Sequence, residues 1–230
     1  MKRTDIFMTE ELKSFLAFDL GHMKEDAFPN KRTDIPYCDD PELLMDIYYP
    51  EEKKDTYPVF LIVFGGGWIS GFRRSRFVEY MLKPLQMGYA CAVAQYTLSL
   101  DDTFPRPVID LKKAVNYLHT HAQELLLDTD NLTLWGESAG GHLALETALL
   151  PNERLGLTGL NTEVKNLVIF YPTTDCDTID RYAETEKDRH LRPDSVMGIF
   201  LSSGLNDPQT LDLASPAHWI HPGMPRLWLQ

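Results

Sequence analysis

The fold is decided by the stretch LTLWGESAGGH, residues 132–142. Its apolar beginning predicts a buried strand, and the apolar-rich residues 143–150 after it predict a helix. Between the two stands G-x-S-x-G with Ser138 at its centre, and in this strand–turn–helix context the motif predicts a nucleophile elbow, a sharp turn that exposes a serine hydroxyl. Gly136 and Gly140 suit such a turn because neither carries a Cβ atom. The motif alone leaves open a glycine- and serine-rich turn without chemistry.

A second motif lies upstream in the same kind of context. Residues 59–64, VFLIVF, form a continuous apolar run, which is typical of a strand buried on both faces. The run GGGW, residues 65–68, follows directly and can turn backbone N–H groups toward a neighbouring site. We therefore expect the N–H groups of Gly66 and Gly67, together with that of Ala139 after the serine, to form an oxyanion hole. A flexible loop is the alternative interpretation.

The rest of the chain alternates between strand and helix patterns. Further strands are predicted at residues 43–49, 90–96, 164–171 and 226–229, and helices at 10–20, 77–85, 108–118 and 194–202. The alternation predicts an α/β fold with a mostly parallel sheet flanked by helices. Residues 1–36 are expected to form an N-terminal segment and possible cap, and residues 37–230 one domain with a polar excursion at 173–216.

The composition is that of an ordinary globular protein, with 230 residues, 43% hydrophobic and 24% charged. A net charge of −12 argues against binding to nucleic acid, which requires basic patches. Cys38, Cys91 and Cys176 lack metal-ligand spacing, and so sparse a set indicates a reducing compartment. Neither the apolar segment of a signal peptide nor a run long enough to span a membrane is visible, so we expect a cytoplasmic location without membrane contact. The oligomeric state stays open.

With both motifs in place, the chain resembles the α/β-hydrolase superfamily, and within it the branch of hormone-sensitive-lipase-like and acetyl-xylan or feruloyl esterases. That branch carries the signatures H-G-G-G-W and G-x-S-A-G-G, which residues 64–68 and 136–141 match with one exception. The resemblance covers roughly residues 37–229. It implies that Ser138 is the catalytic nucleophile and that the three positions named above supply the oxyanion-binding N–H groups.

The chain departs from this family in two ways. Phe64 stands where the family has a histidine that helps to hold the glycine loop. The family order also places an acid and then a histidine after the serine, and the resemblance puts both beyond Gln230, so we expect the chain to be C-terminally incomplete and to lack the final strand and helix. Asp175 is the one acid considered as a replacement, with a loop or capping role as its alternative. The histidines considered as replacement bases are His119, His121, His142, His190, His218 and His221.

The resemblance implies a serine carboxylic-ester hydrolase that acts on short-chain, acetyl-like esters through an acyl-enzyme on Ser138. It implies a small-molecule ester as the partner and neither metal nor cofactor, because the serine, a base and the oxyanion hole carry the chemistry. An amidase or formamidase is a near alternative. A catalytically impaired remnant or a binding module is the alternative from another class, since the acid and the histidine are expected beyond Gln230.

Overall fold

One sheet organises the protein, whose computed structural model describes residues 9–230. Its strands, numbered along the chain, are β1 Lys31–Pro36, β2 Leu44–Tyr48, β3 Tyr57–Val63, β4 Ala90–Ala94, β5 Leu127–Glu137, β6 Asn166–Phe170 and β7 Arg226–Leu229. They lie in the order β1-β2-β4-β3-β5-β6-β7. Strand β2 runs antiparallel to both of its neighbours, and every other adjacent pair is parallel. The predicted α/β fold with a mostly parallel sheet is confirmed.

Helices connect the strands. They are α1 Glu10–Leu16, α2 Arg76–Glu79, α3 Arg106–Thr120, α4 Ala139–Leu149, α5 Val196–Leu201 and α6 Pro208–Leu213. Helix α4 is buried almost all round because it packs on β5 and β6 on one side and on α3 on another. A helix that is apolar on every face belongs in the interior. The β5–α4 junction, where the elbow motif lies, is therefore held from several directions.

Three elements differ from the sequence-based expectation, and the first is helix α6, which was not predicted. Strand β1 was not predicted, because its sequence KRTDIP is largely exposed at the sheet edge and shows no apolar alternation. The single helix expected at 77–85 is wrong: α2 ends at Glu79 and a 3-10 helix, Tyr80–Met87, continues from it. Pro84 lies inside that segment and has no N–H group for an α-helical hydrogen bond.

The N-terminal segment is described from residue 9 onward, so the part of the expected cap at residues 1–8 lies outside the described residues. Helix α1 begins at Thr9, whose hydroxyl accepts a hydrogen bond from the backbone of Leu12. The Leu12 side chain is buried against Ile69 and Ile199, which attaches α1 to the body of the protein. Residues 31–36 belong to the sheet, since β1 pairs with β2.

The polar excursion at 173–216 contains α5 and α6 and packs into the same region. Phe200 of α5 is fully buried and stacks on Trp68, with ring centroids 4.7 Å apart. Cys38, Cys91 and Cys176 are free thiols. Among residues 9–230, no helix combines the length and the apolar character that crossing a membrane requires.

Candidate active site

Ser138 lies at the tip of a sharp turn between β5 and α4. Its backbone has φ 51° and ψ −125°, a region that non-glycine residues rarely occupy. The turn is closely packed: a Cβ atom on Gly136 would lie 2.3 Å from the Gly140 carbonyl oxygen, and one on Gly140 would lie 2.2 Å from the carbonyl oxygen of Val63. Ser138 itself is exposed although both of its neighbours are buried. The turn thus presents one hydroxyl at the surface of an otherwise buried junction.

The glycine loop lies directly against this turn. A Cβ atom on Gly65 would lie 3.5 Å from the Ser138 Cβ and 2.9 Å from the Glu137 carbonyl oxygen. Gly66, at φ 129°, and Gly67, at φ 59°, take backbone conformations that favour glycine. The Gly66 carbonyl accepts hydrogen bonds from the backbone of residues 69 and 70, which closes the loop into a turn. Its geometry is therefore fixed by internal hydrogen bonds and by the elbow.

Within residues 9–230, backbone N–H groups near Ser138 are left without an acceptor. Within the described part of the chain, the backbone N–H groups of Gly66 and Gly67 donate to no acceptor. Ala139 is the first residue of α4, where an N–H group has no partner within the helix. Gly66 lines the same cavity as Ser138, whereas Gly67 lies beneath the ring of Phe15, which would be 3.2 Å from a Cβ atom at that position. Anions are favoured at such an arrangement of free N–H groups beside a helix N-terminus.

A buried histidine joins the glycine loop to the elbow helix. Trp68 Nε1 donates to His142 Nδ1 at 3.2 Å, and His142 Nε2 contacts the Ala214 carbonyl oxygen at 2.9 Å. Because Nδ1 accepts, Nε2 carries the proton and donates to that oxygen. Burial lowers the pKa of His142 to about 4, although the hydrogen bond to Ala214 opposes the shift. His142 is a neutral structural link, with both ring nitrogens occupied.

The phenylalanine that replaces the family's histidine has a packing role. The Phe64 ring stacks on Tyr96 with centroids 4.5 Å apart, and the Tyr96 hydroxyl donates to the Phe64 carbonyl oxygen at 2.9 Å. A Cβ atom on Gly71 would lie 2.6 Å from the Phe64 ring, so the far end of the glycine loop passes closely over it. Stacking and close packing thus hold the loop at this position.

An ion-pair cluster holds the segment that follows the glycine loop. Asp46 on β2 is fully buried and accepts from Arg73 Nε at 2.9 Å and from Arg74 Nε at 2.7 Å. Both guanidinium groups also pair with the half-exposed Asp34. Charge-assisted hydrogen bonds to a carboxylate are among the stronger ones in proteins. The end of the loop is therefore attached to the antiparallel side of the sheet.

Ser138 opens into a cavity of about 670 Å³. The cavity is lined mainly by aromatic and small side chains: Ser14, Phe15, Phe18, Leu20, Phe64, Gly65, Gly66, Ser70, Gly71, Ser75, Phe77, Tyr80, Met81, Glu137, Ser138 and Tyr171. Concave, mostly apolar spaces of this size with a few polar groups are the usual form of small-molecule sites. The N-terminal segment, the glycine loop, the elbow and the end of β6 each supply part of the wall.

Glu137, directly before the serine, is the acidic member of this lining. Its Oε2 accepts a hydrogen bond from Tyr171 at 2.9 Å and another from Tyr80. Burial raises the pKa of the Glu137 carboxyl, against the opposing effect of the Tyr171 hydrogen bond. Burial and the neighbouring carboxyl together raise the pKa of Tyr171 to about 12. One carboxyl thus connects the elbow to two phenol groups from other segments.

The BD-FAE family matches residues 45–229, which is most of the chain. The chain belongs to the BD-FAE family. The matched range contains both motifs and the strands from β2 to β7, so the BD-FAE assignment and the observed α/β-hydrolase architecture agree.

Similar proteins carry esterase names. The chain is 33% identical over 123 residues to the probable carboxylic ester hydrolase LipM of Mycobacterium tuberculosis, covering 52% of this chain and 28% of LipM. It is 26% identical over 199 residues to the esterase LipQ of the same organism, covering 84% of this chain and 46% of LipQ. The chain therefore spans less than half the length of these two relatives. A truncated form of a carbohydrate esterase from gut microbiota superposes with a TM-score of 0.79 at 19% identity, covering 90% of this chain and 78% of that structure.

The residues considered as triad partners of Ser138 in this BD-FAE chain occupy other positions. Asp175 accepts hydrogen bonds from the backbone and hydroxyl of Thr178, as a loop-capping residue does. His218 Nδ1 lies 2.9 Å from Asp212 Oδ1, and His218 Nε2 lies 3.9 Å from Asp175 Oδ1. His119 contacts the Glu163 carbonyl oxygen, His121 stacks on Tyr117, and His221 contacts the Pro222 carbonyl oxygen. His190 is exposed, and its backbone N–H donates to Asp180. None of them lines the cavity that Ser138 lines.

Sequence analysis missed the groups that complete the cavity wall. Tyr80 and Tyr171 lie far from the motifs along the chain and have no local signature. Glu137 stands inside the G-x-S-x-G motif, and an acid directly before the nucleophile was the one available signal. Among residues 9–230, no three His, Cys, Asp or Glu side chains lie close enough together to bind a metal ion.

Proposed function

We propose that this protein is a serine carboxylic-ester hydrolase with Ser138 as its nucleophile. The observation that carries this function is the position of one exposed serine, in a strained elbow conformation, against a glycine loop with free N–H groups. Backbone strain that surrounding packing maintains is found preferentially at functional sites. The esterase names of the relatives in the family support the same reaction class.

In the proposed reaction the Ser138 Oγ attacks the ester carbonyl carbon while a base accepts the hydroxyl proton. The negative charge that develops on the carbonyl oxygen is bound by the N–H groups of Gly66, Gly67 and Ala139. Collapse of this intermediate breaks the bond to the alcohol, which leaves with a proton, and forms an acyl-enzyme. Water then attacks the acyl-enzyme, releasing the acid and restoring the serine.

We further propose that α1 closes part of this site. The ring of Phe15 lies over Gly67, and Phe15 and Phe18 both line the cavity. Leu12 holds the helix to Ile69 and Ile199, so these rings are supported by a buried contact. This is the position expected of a small cap that limits the length of the acyl or alcohol group.

The test is turnover and labelling of the 230-residue chain. We expect a fluorophosphonate to label the chain at Ser138 and the Ser138→Ala variant to remain unlabelled. Because no histidine of residues 9–230 lines the cavity, we expect only slow turnover of p-nitrophenyl esters from acetate to octanoate, with the shorter acyl groups preferred. The Ser138→Ala variant should lose this residual turnover. A formanilide substrate measured in parallel distinguishes amide from ester hydrolysis.

A binding module without turnover is the second candidate function. One observation favours it: no histidine of residues 9–230 lines the cavity, so the base that would activate Ser138 is not among the lining groups. Loss of a triad member leaves only residual catalysis. Folded protein that is neither labelled nor active on any ester would favour the binding role over hydrolysis.

A further inference from the structure

Exposed aromatic rings are concentrated in the cavity beside Ser138. Phe15, Phe18, Phe77, Tyr80 and Tyr171 are 42%, 60%, 43%, 39% and 62% exposed, respectively, and all five line it. Large apolar side chains that stay accessible in one concave place mark a binding site rather than a packing defect. The rings come from α1, from the segment around α2 and from the end of β6, so the fold brings them together from distant parts of the chain.

Among residues 9–230, one carboxyl group lines this aromatic cavity. It belongs to Glu137, and no lysine, arginine or histidine of that range lines the cavity. Among the described residues, no cation forms an ion pair with Glu137, and burial raises the pKa of its carboxyl against the opposing hydrogen bond from Tyr171. Both phenol hydroxyls donate to Oε2, whereas Oε1 accepts no hydrogen bond from residues 9–230. One carboxyl oxygen is therefore left for whatever enters the cavity.

We propose that the cavity binds an alkylated ammonium group of the substrate, with Glu137 as the counter-charge and the aromatic rings as its surroundings. Aromatic faces attract cations, and quaternary ammonium groups are recognised in aromatic cages. A neutral apolar occupant would instead remove water from Oε1 of Glu137 without supplying a partner, and burying a polar atom without a hydrogen bond is unfavourable. The net charge of −12 adds a long-range attraction for cations.

The position of Glu137 defines the substrate class more closely. Because Glu137 directly precedes Ser138 and both line the cavity, we expect an ammonium group at its carboxyl to be within a few bonds of an ester carbonyl at the serine. The class is thus an ester whose acyl or alcohol part carries a trialkylammonium group close to the ester bond. The ester part of this inference rests on the proposed function, whereas binding of the ammonium group does not.

A matched pair of ligands tests binding without requiring turnover. Choline and 3,3-dimethylbutan-1-ol have nearly the same shape and differ by one positive charge. By NMR titration of the 230-residue chain, we expect choline to bind roughly tenfold more tightly than the neutral alcohol. Glu137→Gln should remove that difference by weakening choline binding alone. Equal affinities of the wild-type chain for the two ligands would overturn the inference.

Three further variants test whether a loss of choline binding arises in the cavity or from a general effect on the protein. Tyr171→Leu removes an exposed ring and should weaken choline binding, whereas Tyr171→Phe keeps the ring and should weaken it less. Tyr182→Leu is the control, because Tyr182 is 86% exposed and does not line the cavity. If Glu137→Gln fails to fold, the choline affinities of Tyr171→Leu and Tyr171→Phe test the proposed site instead. Unchanged choline affinity in Tyr171→Leu would also contradict the proposed site.

Hydrolysis of acetylthiocholine and of 3,3-dimethylbutyl thioacetate gives the second arm. A higher kcat/KM for the cationic ester that disappears in Glu137→Gln supports the inference, and equal or reversed preference overturns it. Absence of hydrolysis of either ester, with choline still bound selectively, would refute the esterase function while leaving the ammonium site established. The two proposals therefore fail in different experiments.

Discussion

The two sides of the cavity are built in opposite ways. On the elbow side, Gly136 and Gly140 leave no room for a Cβ atom, and the supporting residues His142 and Asp46 are fully buried. On the facing side the wall consists of exposed rings, such as Phe18 at 60% exposure, from the segments around α1 and α2 and from the end of β6. The elbow side holds the backbone around Ser138 by close packing. The facing side positions exposed side chains that other residues could replace without loss of the fold.

The elbow side and the facing side therefore differ in what their residues determine, which is the fold on the elbow side and ligand binding on the facing side. Close packing of backbone against backbone tolerates little substitution, since interiors are packed as densely as organic crystals. Exposed rings contribute little to stability, so they can vary with the ligand. We therefore expect mutations on the elbow side to act on folding and those on the facing side to act on binding.

The largest expected effect is that of Gly140→Ala. The new Cβ atom would lie 2.2 Å from the Val63 carbonyl oxygen and 2.5 Å from that of Phe64, both backbone atoms. We expect a loss of at least about 3 kcal/mol in the free energy of unfolding, the upper end for overpacking. The measurement is urea unfolding followed by circular dichroism.

The neighbouring glycine is the matched control for this variant. In Gly141→Ala the nearest contacts of the Cβ atom are at 3.2 Å, and the helical preference of alanine over glycine, about 1 kcal/mol, offsets part of the crowding. A similar stability for the two variants would show that the elbow is not packed as described.

The second effect is a loss of stability in acid caused by His142. Its pKa is about 4 in the folded protein, below its ordinary value of 6.5, so between these pH values the unfolded chain binds a proton that the folded chain does not. Stability should therefore fall as the pH drops from 6.5 to 4, by about 3 kcal/mol from this group. His142→Gln should give a flatter profile over that window. Parallel profiles for the two proteins would rule out this titration.

The third comparison uses two carboxylates that share the same arginines. Asp46 is fully buried between Arg73 and Arg74, whereas the side chain of Asp34 is 51% exposed. Asp46→Asn should cost about 2 kcal/mol, because it leaves partly buried guanidinium groups without their charge partner. Asp34→Asn should cost less than about 1 kcal/mol, as exposed pairs do. Thermal unfolding of both variants measures the two losses of stability. A larger loss for Asp34→Asn would mean that Asp34, and not Asp46, is the main partner of the two arginines.

The sequence predicted the elbow side well, for a physical reason. At Gly136, Gly140 and the first two positions of the glycine run, two backbone segments pass so close together that a Cβ atom would not fit. Such positions require glycine, and the glycines are recognisable in the sequence. The buried strand β3 carries a continuous apolar run, and the buried part of β5 before the elbow, residues 132–135, is mostly apolar. The positions of Ser138 and of the loop beside it followed from these patterns, while their catalytic roles remain predictions.

The facing side and the sheet edge could not be predicted in this way. Tyr80 and Tyr171 meet at Glu137 only through the tertiary fold, across separations of 57 and 34 residues in sequence. Strand β1 lies at the edge, where its outward side chains are polar and no apolar alternation is required. Sequence patterns reveal positions where the local backbone or burial restricts the residue type. The contacts of Tyr80 and Tyr171 and the exposed strand β1 impose no such local restriction.

The smallest effect on stability is expected for Phe18→Ala, which nevertheless tests the facing wall most directly. Phe18 is 60% exposed, so its removal should change the free energy of unfolding by no more than about 0.5 kcal/mol. Because its ring lines the cavity, the same variant should weaken choline binding about threefold, in keeping with one exposed cation–aromatic contact. Met87→Ala is the control, since Met87 is 66% exposed and lies outside the lining. A Phe18→Ala protein with lowered stability and unchanged binding would mean that the ring supports the fold instead of the site, and the division between the two sides would not hold.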